Sequence, residues 1–277
     1  MMFDAKGNLV ICEMSNNRVV RDDMKGNITV LADSRDGKKV HSPNDLWIDS
    51  KGGIYFSEFN MGGGPGGPPG GGMPGGAQGG RAASGAPGSS PPGSGMPGGA
   101  PGSNTAAAGM QAAPSGGAPG GGRSGSSQTM APGELGIDYI TPDGKVIRVM
   151  DCESPNGLIG TPDGKILYFL DKNKIWSCKI NPDGSLTDKK VFCESNTDGM
   201  ALDEKGNLYL AADKAIAVYS PDGKKIEEIT MPEGIANLKF AGRDHKTLFI
   251  TYHGYVYTLE MAVKGAPLAL DLGKQKK

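Results

Sequence analysis

SPNGLIGTPDGKILYFLD, residues 154–171, decides how the chain is read. Its second half is plain. Thr161-Pro162-Asp163-Gly164 has turn chemistry, and the run from Lys165 to Asp171 has the β-branched and aromatic content of a strand. The first half is odd, because polar Asn156, backed by Gly157, stands at the head of the apolar run Leu158–Gly160. The form recurs. FDAKGNLVICE (3–13), IDSKGGIYFSE (48–58), LDEKGNLYLAA (202–212) and GRDHKTLFITY (242–252) each pass from an Asp-rich turn into a short apolar strand. With one Gly/Pro-rich block set aside, the spacing is about 40 residues, the length of a propeller blade.

A second set of turns falls between the first: MKGNITVLA (24–32), TPDGKVIRVM (141–150), NPDGSLTDKKVF (181–192) and SPDGKKIEEI (220–229). Each repeat therefore holds two hairpins, or four short strands, and no segment keeps a helical period. The sequence predicts an all-β protein, a β-propeller of about five blades, with units at 1–41, 42–150, 151–194, 195–231 and 232–261. The first unit opens on Met1-Met2-Phe3, where the second has NDLWID (44–49). The reading expects sequence upstream of Met1, and it expects the sheet edge left open to offer a place for self-association. The expected domain is residues 1–60 with 134–265, followed by a C-terminal tail at 266–277.

The block 61–133 holds more than half of the 46 glycines and, for charge, Arg81 and Arg123. It has too little apolar surface to offset the entropy of ordering, so it is expected to be a disordered insertion within the second unit. The net charge of −1 gives no electrostatic case for nucleic acid. No run has the length of a membrane span, and Asp4 follows Met1-Met2-Phe3 at once. As written the chain reads as cytoplasmic; an upstream signal peptide would make it periplasmic or secreted. Cys12, Cys152, Cys178 and Cys193 form no C-x-x-C pair and read as buried reduced thiols.

Aligning the units brings four polar residues into phase just before the inner strands. They are Asn44 in SPND (42–45), Asn156 in SPNG (154–157), Asp198 in NTDG (196–199) and Asn237 in GIAN (234–237). Inner strands of a propeller start at one end of the central channel, so these residues would converge there from different blades. Amide and carboxylate oxygens without thiolate or imidazole suit a hard divalent cation. Calcium fits best, with magnesium, manganese and zinc as alternatives. The same residue types also form turns, which is the competing reading. His253, in ITYHGYVY, is a further candidate for the channel lining.

SPNDLWIDSKGGIYFSE, SPNGLIGTPDGKILYFLD, TDGMALDEKGNLYLAA and NLKFAGRDHKTLFIT, in that order, resemble the SMP-30/gluconolactonase/luciferin-regenerating-enzyme family. The resemblance covers about 1–60 and 134–265. It implies a propeller of the six-bladed type, here lacking the first blade, and a metal-dependent lactonase acting on a small-molecule lactone or ester. By that resemblance Asn156 and Asp198 are metal ligands, Asp198 is also the catalytic base, and Asn44 contacts substrate. Two departures accompany it. Ser42 stands where sugar-lactone-binding members carry Arg, and the family's first-blade Glu ligand has no counterpart. A non-catalytic binding or scaffold propeller, or a truncated inactive fragment, is the alternative.

Overall fold

The computed structural model describes residues 1–59, 133–232, 234–252, 254–269 and 271. Among them the chain builds five successive antiparallel blades. The first holds β1 (Met2–Phe3), β2 (Leu9–Glu13), β3 (Arg18–Asp22) and β4 (Ile28–Ala32). A ribbon of β5 (Ser34–Arg35) and β6 (Lys38–Lys39) leads to the second, which holds β7 (Pro43–Ile48), β8 (Ile54–Glu58), β9 (Leu135–Ile140) and β10 (Val146–Cys152). The third has β11 (Pro155–Gly160), β12 (Ile166–Asp171), β13 (Lys174–Ile180) and β14 (Leu186–Glu194). The fourth has β15 (Met200–Leu202), β16 (Leu208–Ala212), β17 (Ala215–Tyr219) and β18 (Lys225–Thr230). The fifth has three described strands, β19 (Asn237–Ala241), β20 (Thr247–Tyr252) and β21 (Tyr255–Glu260).

The all-β propeller expectation holds, with β1 reduced to two residues, and the units match the blades except that β10 runs on to Cys152, past the expected boundary at 150. Among the described residues the fifth blade has three strands against the expected four, and the β5–β6 ribbon was not foreseen. The block 61–133 lies outside the described residues except for Gly133.

The repeated Asp turns have one physical basis. The Asp49 carboxylate accepts from the Lys51 and Gly53 N–H groups, both at 2.8 Å. Asp4 accepts from Lys6 and Asn8 at 2.8 and 3.0 Å, and Asp203 from Lys205 and Asn207 at 2.9 and 2.8 Å. One carboxylate thus satisfies two corner N–H groups. The following glycine, such as Gly52 at φ 88°, takes the left-handed conformation that closes the corner.

The blades pack through alternate side chains of their strands. Trp47, Tyr55 and Tyr139 form a buried aromatic run, with Tyr55 and Tyr139 ring centroids 4.4 Å apart. The Tyr55 hydroxyl donates to the Gly184 carbonyl of blade three at 2.8 Å. A second apolar cluster, including Tyr209, Ile216, Leu238, Phe240 and Ile250, joins blades four and five.

Four charges meet where the insertion leaves and rejoins blade two. Glu58 and Asp138 are fully buried, and the Arg35 and Arg148 guanidiniums each pair with both. Arg148 Nη1 also donates to the carbonyls of Gly133 and Leu135, at 3.3 and 2.9 Å. One guanidinium therefore grips the departing strand through Glu58 and the returning strand through its backbone.

The inner strands run away from the phased polar residues toward Trp47, Gly160, Leu202 and Phe240. These lie three or four residues further on, which at strand rise is roughly 10–13 Å. Residues 265–269 cross this far end. Gly265 bridges Asp203, the Ala266 N–H donates to the Leu202 carbonyl at 2.9 Å, and Ala266 and Ala269 are buried. A cavity of about 20 Å³ remains among Trp47, Gly160, Phe240 and Ala266. The start of the expected C-terminal tail is thus packed against the inner strands.

Candidate functional site at the inner-strand starts

Two of the inner strands begin with the same irregularity. In β7 the pairing with β8 jumps from Pro43↔Glu58 to Leu46↔Phe56, so Asn44 and Asp45 together oppose Ser57. In β11 it jumps from Pro155↔Asp171 to Leu158↔Phe169, so Asn156 and Gly157 oppose Leu170. These are β-bulges, which re-aim a side chain and free a backbone group from the ladder. In each, an Asn sits in the bulge. This answers why a polar residue heads an apolar strand: the ladder breaks at Asn156, so its side chain leaves the alternation that buries Leu158.

The bulged side chains meet. The Asn44 amide Nδ2 donates to Asn156 Oδ1 at 2.5 Å. The buried Asn156 side chain also lies close enough to the Asp198 carboxylate to favour its charged form. Asn44 and Asn156 are thus joined side chain to side chain, and Asp198 of a third blade stands beside them. Burial holds the Asp198 carboxyl above its ordinary range. The neighbouring Asn156 amide pulls it back down, and the nearby charge of Asp45 pushes it up again.

Asp198 is held just before β15, where its N–H donates to the Ala211 carbonyl at 3.4 Å. The glycines of the motifs allow this approach. A Cβ on Gly157 would lie 2.2 Å from the Asp198 carbonyl oxygen, and one on Gly199 would lie 2.3 Å from Asn237 Oδ1. Asn237 therefore stands over blade four at the next step of the ring. It is exposed, and its Oδ1 accepts from the Leu238 N–H at 2.8 Å. Of the candidates, Asn44, Asn156 and Asp198 come together, Asn237 stands beside them, and His253 lies outside the described residues.

One residue escaped the sequence reading. Asp45 Oδ2 accepts from the Leu158 N–H across the blade boundary at 3.1 Å, and Oδ1 accepts from the Leu46 N–H at 2.9 Å. The Asp45 N–H donates to Ser57 Oγ at 3.2 Å. The signal was present: Asp45 occupies the position taken by Gly157 and Gly199 in the following motifs.

The convergent donors are two amides and one carboxylate, with a second carboxylate behind. An oxygen-only set of this kind fits calcium or magnesium better than zinc, which favours imidazole and thiolate. Among the described residues no group of three or more His, Cys, Asp and Glu side chains gathers, so a cation here would depend on the amide oxygens. Ser42, at the position where an Arg was the alternative, has φ 35°, and its N–H donates to Asn17 Oδ1 at 2.9 Å.

The four cysteines are free thiols, two buried and two partly buried. Burial pushes the Cys12 thiol up to about 12, and Cys178 and Cys193 each up to about 11. No nucleophilic thiolate stands at the site.

The SMP-30/Gluconolactonase/LRE-like region is matched over residues 121–254. A protein of unspecified function from Sulfolobus acidocaldarius is 32% identical over 149 residues, 47% of this chain and 54% of its own length. A gluconolactonase from Zymomonas mobilis is 29% identical over 134 residues, 42% of this chain and 37% of its own length. The chain thus spans about half and about a third of these relatives. A gluconolactonase structure from Xanthomonas campestris superposes with TM-score 0.64 at 22% identity, covering 93% of this chain and 70% of that one. A calcium-binding protein, regucalcin, from Agrobacterium tumefaciens superposes with TM-score 0.62 at 17% identity, covering 98% and 78%. At these identities the structures establish the shared fold.

Proposed function

From a chain that carries a region of the SMP-30/gluconolactonase/LRE-like family, we propose a metal-dependent lactonase whose cation is held by Asn156 and Asp198. The observation that carries the reading is the set Asn44, Asn156 and Asp198, three oxygen-bearing side chains that neighbour one another from three blades at one end of the inner strands, the first two hydrogen-bonded. The calcium-binding and gluconolactonase relatives support it. Calcium is the expected ion and a small lactone or ester the expected substrate.

A divalent cation bound here supplies Lewis-acid polarisation of the substrate carbonyl. The remaining work falls to the chain. Asn156 contributes a neutral oxygen and leaves the ion's charge undiminished. Asp198 would contribute the negative charge and, standing beside the substrate carbonyl, would take the proton of the attacking water. The water oxygen adds to the carbonyl carbon, the ring C–O bond breaks, and the proton passes to the leaving alkoxide to give a hydroxy acid. The Asn44 amide, exposed more than Asn156, orients the substrate. With residues 265–269 packed at the opposite end, substrate would enter from the Asn44 end.

The test is hydrolysis of a panel of five- and six-membered lactones, followed by acid release, with calcium, magnesium, manganese or zinc and after EDTA. Turnover that needs a cation and falls at least about 100-fold in Asp198→Ala, the scale set by loss of a general base, supports the reading. Turnover indifferent to EDTA and to Asp198→Ala overturns the metal-dependent mechanism, and none with any cation leaves a binding propeller. The chain is placed in the cytoplasm on the same footing, as a proposal tested by fractionating cells that express it from its native locus.

A further inference from the structure

Where Gly157 and Gly199 give way so that the next blade can close on them, the corresponding crevice between blades two and three is filled by a carboxylate. We propose that Asp45 is a positioning residue, clasping the bulge of β11 so that Asn156 faces Asn44 and Asp198. The inference rests on the cation site proposed above.

The alternation of the antiparallel ladder turns the Leu158 N–H away from β12. With the β11 ladder broken between Pro155 and Leu158, the Leu158 N–H is the first backbone donor after Asn156 at the point where pairing resumes. It is satisfied not by β12 but by Asp45 Oδ2, at 3.1 Å from another blade. Asp45 is itself fixed at both ends. Its Oδ1 takes the Leu46 N–H at 2.9 Å, and its N–H is tied to Ser57 Oγ at 3.2 Å, where Ser57 is fully buried. A rigid carboxylate thus sets the height of the Leu158 peptide, two residues from Asn156. A charge-assisted hydrogen bond of this kind is stronger than one between neutral groups.

The geometry explains why Asn44 reaches Asn156 across a blade boundary. Both bulges are in phase, and Asp45 ties the back of one to the back of the other. Asp45 also lies close enough for its charge to bear on Asp198, which places a second acid beside the proposed cation without making it a ligand.

The test uses Asp45→Asn, which keeps a carbonyl oxygen for the Leu158 N–H, and Asp45→Ala, which does not. Asp45→Ser, too short to reach, replaces the alanine variant if that one fails to fold. Two readouts are taken on the full chain: amide hydrogen exchange at Leu158 in metal-free protein, and calcium affinity by calorimetry. The clasp predicts that Leu158 exchange in Asp45→Ala speeds up at least tenfold relative to Leu167 and Tyr168. Calcium affinity falls at least tenfold in the same variant, and Asp45→Asn restores both to within about threefold of the parent. Unchanged Leu158 exchange in Asp45→Ala, or an asparagine variant as impaired as the alanine one, overturns the proposal. If the parent chain takes up no calcium, the cation reading fails, and Leu158 exchange still decides the clasp.

Discussion

At the scale of single residues, the site depends on where side chains are absent as much as where they are present. Gly157 accepts the Asp198 carbonyl where a Cβ would stand 2.2 Å from it. Gly157→Ala should force the blade tips apart, lowering stability by about 1–3 kcal/mol as overpacking does and weakening calcium binding in the same protein; urea unfolding and calorimetry read the two. The thiols supply a second prediction. Burial raises Cys12 to about 12 and Cys178 and Cys193 to about 11, against roughly 8.5 in the unfolded chain. Their contribution to stability is therefore fully present below about pH 8.5 and lost as pH rises through 11 to 12. At pH 8 a disulfide reagent should label the native protein slowly and all four thiols at once in denaturant; rapid native labelling would contradict the burial described. At this scale the sequence showed Asn44, Asn156 and Asp198 because they share a phase. It hid Asp45, because an acid beside an Asn in a turn motif looks like more turn chemistry until the bulge and the partner N–H are seen.

Strands and their connections show a different balance. The two hairpins per repeat were readable because each Asp corner carries its own local signature, and β12 begins where the TPDG turn ends. The charged staple at the insertion was not readable. Glu58, Asp138 and Arg148 are drawn together by pairing across a long insertion, and no local pattern marks them. Arg148→Met leaves Glu58 and Asp138 short of one guanidinium in a buried setting, and should cost about 3–5 kcal/mol, the scale for breaking a buried pair. Urea midpoints measure this. A loss under about 1 kcal/mol, typical of exposed pairs, would show that the staple is not buried in solution. Limited proteolysis near Gly133 should quicken in the same variant, since Arg148 holds the Gly133 and Leu135 carbonyls.

For the molecule as a whole, the order of blades followed from the repeat, while the closing of one channel end did not. Residues 266–269 have no strand signature and read as a tail, yet Ala266 and Ala269 are buried against the inner strands. A chain ending at Lys264 should lose on the order of 1–3 kcal/mol from the lost apolar burial and the Ala266–Leu202 hydrogen bond, and should bind an apolar dye at the opened end. The exposed faces tell of a further contact left to test. Phe3, Ile28 and Val30 on blade one and Tyr255 and Val256 on blade five are all exposed, and self-association through such a face remains a proposal that sedimentation can decide. The central claim is that Asn156 and Asp198 share a cation at the inner-strand starts. Crystals grown with manganese, with anomalous diffraction collected above its absorption edge, test it most directly. The account predicts a peak at about 2.1–2.4 Å from Asn156 Oδ1 and an Asp198 carboxylate oxygen, the range of hard-cation bonds to oxygen. A peak elsewhere, or none at saturating manganese, would contradict it.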